Sequence, residues 1–303
     1  MVKILATDGI ESSAAKALTE LGFEVTQQFY DENELPARAA EYDVVVVRSA
    51  TKIRKPVIDE AVKTGKLKLV IRGGVGIDNI DAVYAKEKGI EVQNTPNASS
   101  ASVAELVFGH MFSLARFLYD ANVTMREGKW EKKKYAEGIE LAGKTLGLIG
   151  FGRIGRCTAK MAAALGMKVI YHDITGHLPE NDPFAFVPLD EVFAKSDFIS
   201  LHVPKADAPI ISADAITKMK DGVFIINTAR ATLIDTQALL KALDSGKIAG
   251  AALDVFDEEP IKDPAVYKHP KLSMTPHTGA STVEAQLRIG DDIVKIISDR
   301  FKK

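Results

Sequence analysis

The 303-residue chain has a single cysteine, a single tryptophan, almost no excess of charge and no long uninterrupted apolar run. With Cys157 alone, an intramolecular disulfide and a cysteine-cluster metal site are both excluded, and a reducing compartment is expected. Lysine and arginine total 39 against 41 acids, a formal net charge of -2. No uniform field therefore draws the chain to nucleic acid or to an anionic membrane. The opening MVKILATDG is too short an apolar run for a secretory signal. The most apolar long stretch, 103–125, is interrupted by His110, Arg116 and Asp120, and reads as a buried helix rather than a membrane span. No histidine, cysteine or acid spacing suits a metal. The expectation is a soluble cytoplasmic protein with a small-molecule substrate and no nucleic-acid, membrane or metal partner.

What is present is an ordinary globular balance, 46% hydrophobic and 26% charged, with material for about two domains. Short Val- and Ile-rich runs recur: 2–7, 44–47, 67–71, 90–93, 145–150, 168–173, 197–202, 223–227, 249–255 and 271–275. They are apolar throughout, as strands buried on both faces are. Helical periods lie between them at 12–20, 56–64, 79–88, 153–165, 212–219 and 235–244. This alternation predicts α/β architecture with doubly wound parallel sheets. Two segments break the rhythm. Residues 99–127 read as one long helix, apolar nearly all round, either an interdomain core helix or a subunit interface. A C-terminal helix at about 281–300 carries a stripe of Val283, Leu287, Val294, Ile297 and Phe301.

The segment Gly150-Phe-Gly152-Arg153-Ile154-Gly155 matches G-x-G-x-x-G between a strand and a helix. Gly150 allows the tight turn, Gly152 lets backbone approach a pyrophosphate, and Gly155 lets helix and strand pack closely. The pyrophosphate would rest on free N–H groups at the helix N-terminus. Asp173 ends the next strand, where it would accept from ribose hydroxyls and repel a 2′-phosphate. No Lys or Arg follows it at 174–177, so NAD is favoured over NADP. Three later strand ends carry polar groups that a fold does not need: Asn227-Thr228-Ala229-Arg230, Asp254 to Pro260 with Glu259, and Thr275 to Ala280 with His277. In an open α/β sheet, ligands bind beyond the carboxyl ends of the strands. There Arg can hold a carboxylate or keto oxygen, His can exchange the hydroxyl proton as hydride moves, and Glu can stabilise its imidazolium.

At these motifs the sequence resembles the D-isomer-specific 2-hydroxyacid dehydrogenases, and among them the D-3-phosphoglycerate dehydrogenases. RGGVGIDNID (72–81), GKTLGLIGFGRIG (143–155), NTAR (227–230), GAALDVFDEEP (250–260) and PHTGAS (276–281) carry the likeness, which covers almost the whole chain. The resemblance implies Arg230, Glu259 and His277 as the catalytic residues. It implies cofactor contacts at Val75, Gly150, Gly152, Arg153, Ile154, Gly155, Asp173, Val203, Thr228, Ala229, Arg230, Asp254, His277, Gly279 and Ala280, with Asp254 on the nicotinamide carboxamide. The substrate carboxylate would meet N–H groups of the loop Gly73, Gly74, Val75 and Gly76, and a substrate phosphate would meet Arg48, Ser49 and Arg72. The implied reaction is NAD-dependent oxidation of D-3-phosphoglycerate to 3-phosphohydroxypyruvate, and its reverse, in serine biosynthesis. A glyoxylate or hydroxypyruvate reductase shares every catalytic residue. A non-catalytic NAD(H) sensor or corepressor is the different-class alternative.

The implied architecture is two Rossmann-like domains across a cleft. A discontinuous substrate domain would take 1–97 and 282–303. An NAD domain at 98–281 would supply the homodimer contact, with hinges near 94–99 and 280–283. Two such domains use up the chain, so serine inhibition through an added regulatory domain is not expected. There are departures. Ala231 stands where the family usually has glycine after the catalytic Arg, and 97–100 reads NASS instead of Asn-Gly-Asn-Ser. Lysines 132–134 after Trp130 are read as a solvated face, Cys157 as a packing residue and His110 as a satisfied core histidine.

Overall fold

The computed structural model describes residues 1–177 and 183–302. The chain forms two compact units, Met1–Ser99 with Ala280–Lys303, and Ser100–Gly279. In the first unit the strands are β1 (Lys3–Ala6), β2 (Glu24–Gln27), β3 (Val44–Val47), β4 (Leu69–Arg72) and β5 (Glu91–Asn94), with helices α1 (Ser12–Glu20), α2 (Leu35–Ala39), α3 (Lys55–Thr64) and α4 (Ala82–Glu87). They form one sheet in the order β2-β1-β3-β4-β5, with every pairing parallel. All four valines of β3 are buried, as a central strand covered on both faces requires.

The second unit begins with α5 (Ser100–Arg116) and α6 (Leu118–Arg126). Then come β6 (Thr145–Ile149), α7 (Arg153–Ala164), β7 (Lys168–His172), β8 (Ala185–Phe186), α8 (Leu189–Lys195) and β9 (Phe198–Leu201). They are followed by α9 (Ala213–Thr217), β10 (Val223–Asn227), α10 (Thr236–Ser245), β11 (Ile248–Leu253), α11 (Pro264–Tyr267) and β12 (Leu272–Met274). The sheet order is β12-β11-β10-β9-β6-β7-β8, again all parallel. The order reverses between β6 and β9, the switch point at which a doubly wound sheet opens a crevice. The expected doubly wound α/β class is thus present in both units.

Three expectations need correction. Residues 99–127 are not one helix. Phe117 adopts a left-handed conformation (φ 55°), and α5 and α6 meet at a 66° bend. No Gly or Pro marks the break. The Ala115 carbonyl instead accepts from the Ile139 N–H at 2.9 Å, and the Phe117 ring faces Tyr135. A tertiary partner has replaced the helical ladder. Secondly, α12 (Val283–Phe301) buries Ala285, Ile289, Ile293 and Ile297, a stripe spaced by four, while Val283 and Leu287 are exposed. Gly290 lets this helix approach α1 closely, since a Cβ there would lie 2.9 Å from that of Ala14. Thirdly, β2 and β8 are strands that the apolar-run criterion missed. Both lie at sheet edges, and none of their residues is fully buried.

No single helix among the described residues is long and apolar enough to cross a membrane. The stripe on α12 closes the core that contains Ile4, Val44, Val46 and Ile71. Ile293→Ala is expected to lose about 2–5 kcal/mol, read as a lower urea midpoint. An unchanged midpoint would mean that α12 does not close this core.

Candidate active site and dinucleotide turn

In the second unit, β6 runs directly into the glycine turn. Gly150 has φ +94°, and a Cβ there would lie 2.6 Å from the His202 carbonyl oxygen. Gly155 is equally constrained, its Cβ position being 2.3 Å from the Gly150 carbonyl oxygen. Gly152 is different: nothing lies within 4 Å of where its Cβ would be. It starts α7 without any side-chain cap, so the first N–H groups, including those of Arg153 and Ile154, stay available to an anion. Asp173, just beyond β7, binds the turn. Its Oδ2 accepts from the Phe151 N–H at 2.7 Å, and its Oδ1 accepts from the Thr175 N–H and hydroxyl at 2.9 and 2.8 Å. Burial would raise this carboxyl, but those donors outweigh it and hold it below its ordinary value. One oxygen retains room for a further donor.

Two polar atoms at the neighbouring strand ends, Thr228 Oγ1 and His202 Nε2, are buried without a partner among the described residues. Burial pushes His202 down to about 4, so its ring is neutral near pH 7. Val203 packs over Gly150. Open space over Gly152, an uncapped helix end and orphaned polar atoms fit a dinucleotide. The motif reading did not single out His202; its place at the carboxyl end of β9, beside the switch point, is the signal that could have found it.

The same unit brings Arg230, Glu259 and His277 together. His277 Nδ1 lies 2.9 Å from Glu259 Oε2. A carboxylate only accepts, so Nδ1 carries the hydrogen, and Nε2 is left for a substrate. Glu259 Oε1 also accepts from the Phe256 N–H at 3.2 Å. Burial opposes the charge on Glu259, but the bond and charge of His277, with Phe256 and Arg230, hold its carboxyl below the ordinary range. Arg230 is set by Asn227, which is fully buried. The Asn227 amide donates to the Arg230 carbonyl at 2.8 Å and accepts from the Ala229 N–H at 3.0 Å. Ala231 opens a short 3-10 turn without positive φ, so alanine in place of glycine carries no backbone strain there. His277 does have positive φ, +52°, in a region that non-glycine residues seldom occupy. Asp254, 1% exposed, holds that loop: Oδ1 accepts from the Thr275 hydroxyl (2.6 Å) and Thr278 N–H (2.7 Å), and Oδ2 from the Gly279 N–H (2.8 Å).

The first unit carries the remaining residues. Asp8, beyond β1, accepts from the Arg48 N–H at 2.6 Å and from the Thr51 N–H and hydroxyl at 3.1 and 2.6 Å. The Asn79 amide donates to the Arg48 and Thr51 carbonyls, each at 2.7 Å. The 48–51 loop is thereby fixed, Ser49 is exposed on it, and the Arg48 guanidinium has no partner among the described residues. Asp8 and Asn79 were absent from the sequence-based site. Arg72 folds back over its own loop: Nη1 donates to the Gly73 carbonyl at 3.4 Å, and a Cβ on Gly74 (φ +145°) would collide with the guanidinium. The Gly73 N–H is committed to the Val47 carbonyl at 2.9 Å, so Gly73 does not belong among the open donors. Thr95 and Asn94 donate to the Gly74 and Val75 carbonyls. With its carbonyls tied, this loop presents the N–H groups of Gly74, Val75 and Gly76. Ala280 opens the segment that returns to this unit.

Gly155→Ala must push the turn away from the Gly150 carbonyl. It is expected to weaken dinucleotide binding at least about tenfold, near 1.4 kcal/mol, in a fluorescence titration. Unchanged affinity would remove the turn from the site.

Residues 108–279 match the family described as D-isomer specific 2-hydroxyacid dehydrogenase, NAD binding domain. The chain is 49% identical to a hydroxypyruvate reductase of Thermotoga maritima, over 97% of both chains. It is 44% identical to a D-3-phosphoglycerate dehydrogenase of Methanocaldococcus jannaschii, over the whole of this chain but 57% of that protein. Among solved structures, a glyoxylate reductase from Paecilomyes thermophila superposes with a TM-score of 0.88 at 32% identity, over 99% of this chain and 96% of that one. The chain belongs to the D-isomer specific 2-hydroxyacid dehydrogenases, oxidoreductases that use NAD.

Proposed function

We propose that the protein interconverts a three-carbon D-2-hydroxy acid and its 2-keto acid, with D-3-phosphoglycerate and 3-phosphohydroxypyruvate as the leading pair. In this reading the second unit binds the cofactor and the first unit binds the substrate. The observation that carries the phosphate assignment is the Arg48 guanidinium, without a partner among the described residues, on a loop whose backbone is pinned by Asp8 and Asn79. A guanidinium carried on a held backbone, with no protein counter-ion among the described residues, suits a substrate phosphate. The open N–H groups of Gly74, Val75 and Gly76 suit the carboxylate, and Arg72 lines the same loop. A second reading, reduction of unphosphorylated hydroxypyruvate or glyoxylate, is favoured by the end-to-end match to the Thermotoga maritima hydroxypyruvate reductase. Place in serine biosynthesis follows only from the first reading.

In the mechanism we infer, Arg230 holds the keto oxygen and His277 Nε2 delivers a proton to it during reduction. Glu259 keeps the imidazolium charged until that proton leaves, and its own low pKa ensures that it remains a carboxylate. Bound NADH supplies the hydride. The turn at Gly150 to Gly155 would hold the pyrophosphate, and Asp173 the adenosine ribose. Asp254 retains one acceptor position, on Oδ2, for the carboxamide. Thr228 Oγ1 is the buried atom that cofactor would satisfy. Pairing of two copies is supported by Trp130, 78% exposed, and by the exposed Leu118, Tyr119 and Met125 of α6. A cytoplasmic location is part of the same proposal.

Purified protein with NADH should reduce 3-phosphohydroxypyruvate at much higher kcat/KM than hydroxypyruvate or glyoxylate. Equal or reversed preference would transfer the assignment to the second reading. Glu259→Gln should lower kcat for keto-acid reduction by about tenfold or more, because the imidazole that delivers the proton loses its carboxylate partner. Unchanged turnover would show that Glu259 does not support His277.

A further inference from the structure

Asp254 does not hold the 275–279 loop unaided. Behind Thr275 lies His110, on α5, which is 4% exposed and packed where that helix crosses β11 and β12. Its Nδ1 is 2.8 Å from the Ser273 hydroxyl and its Nε2 is 3.0 Å from the Thr275 hydroxyl. The direction of every bond follows from the end of the chain. The Asp254 carboxylate only accepts, and Thr275 Oγ1 lies 2.6 Å from its Oδ1, so the threonine donates its one hydroxyl hydrogen there. Thr275 can then only accept from His110, which puts the ring hydrogen on Nε2. Nδ1 accepts in turn from the Ser273 hydroxyl. Burial lowers the His110 pKa, against the opposing charge of Asp254, and the ring is neutral as this pattern requires.

We propose that His110 is a positioning residue for the 275–279 loop. Through the Thr275 hydroxyl it fixes the Asp254 carboxylate, and that carboxylate holds His277 in its left-handed conformation. His277 is flanked on both sides. Its N–H donates back to the Thr275 carbonyl at 3.0 Å, and the next two N–H groups, of Thr278 and Gly279, point at Asp254. A residue at φ +52° stays there only when its surroundings over-determine it. Freed of His110, the threonine hydroxyl can turn from Asp254, and Oδ1 loses a charge-assisted bond. The imidazole would then sample positions displaced from the substrate, a fault that lowers turnover more than it weakens binding. The catalytic consequence rests on the proton-transfer role given to His277 above; the conformational one does not.

The test compares His110→Leu, Thr275→Val, their double variant and Thr275→Ser. It reads kcat and KM for keto-acid reduction, and amide hydrogen exchange of the peptide spanning 275–282. Either single breaking variant should lower kcat by about tenfold or more with little change in KM, and should speed exchange in that peptide. The double variant should be no worse than the poorer single one, because both cut one chain of bonds. Thr275→Ser, which keeps the hydroxyl, should behave as the parent. Additive losses, or unchanged exchange in Thr275→Val, would overturn the proposal. Should His110→Leu fail to fold, Thr275→Val against Thr275→Ser decides alone. Faster exchange with undiminished kcat would leave the positioning intact and refute the role of His277.

Discussion

All strands in both sheets run parallel, and the rest of the structure depends on that constraint. A parallel pair cannot be joined by a tight hairpin, so the chain must cross back through a helix before each new strand. Every strand then releases its loop at the same sheet edge. In the second unit that edge collects Gly150, Asp173, His202, Arg230, Glu259 and His277 from strands far apart in sequence. In the first unit it collects Asp8, Arg48 and the 73–76 loop. The apolar strands do no chemistry, but their pairing determines which loops become neighbours.

Loops assembled in this way need anchoring, and the same device recurs. Asp8 after β1 holds the loop after its neighbour β3. Asp173 after β7 holds the turn after its neighbour β6. Asp254 after β11 holds the loop after its neighbour β12. Each carboxylate accepts backbone N–H groups across one strand spacing, and these charge-assisted bonds are stronger than neutral ones. The anchored loops include two positive-φ backbones, Gly150 at φ +94° and His277 at φ +52°. The backbone of the glycine turn and of the His277 loop is therefore held by carboxylates that accept directly from it.

Much of this was legible in the sequence. The apolar runs located the central strands because a strand covered on both faces must be apolar at consecutive positions. The glycine turn was legible because only glycine meets its steric demands, as the collisions at Gly150 and Gly155 confirm. Glu259 and His277 were suspected from their placement at strand ends, and they do form a pair. What escaped had no local signal. The break at Phe117 has no helix breaker; it arises because Ile139 takes a carbonyl that the helix would have used. Edge strands β2 and β8 lack the apolar pattern because none of their residues is fully buried. Gly73 looked like part of an anion loop until β3 claimed its N–H. His110 was read as a satisfied core histidine, and it is one; Asp8 and Asn79 were ordinary in sequence, since a hydrogen bond spanning 43 or 31 residues leaves no periodicity to read.

By itself, then, the sequence determined the parallel α/β class, the dinucleotide turn and the set of chemical groups on offer. Those properties depend on local sterics and on burial pattern, both of which are functions of nearby residues. Only the tertiary structure decided which nitrogen of His277 faces Glu259, which N–H groups of the 73–76 loop stay open, and which acids are anchors. Each of those outcomes is a competition for a limited number of donors and acceptors. The winner depends on what folding brings within 3 Å, a hydrogen-bond length that no spacing along the chain encodes.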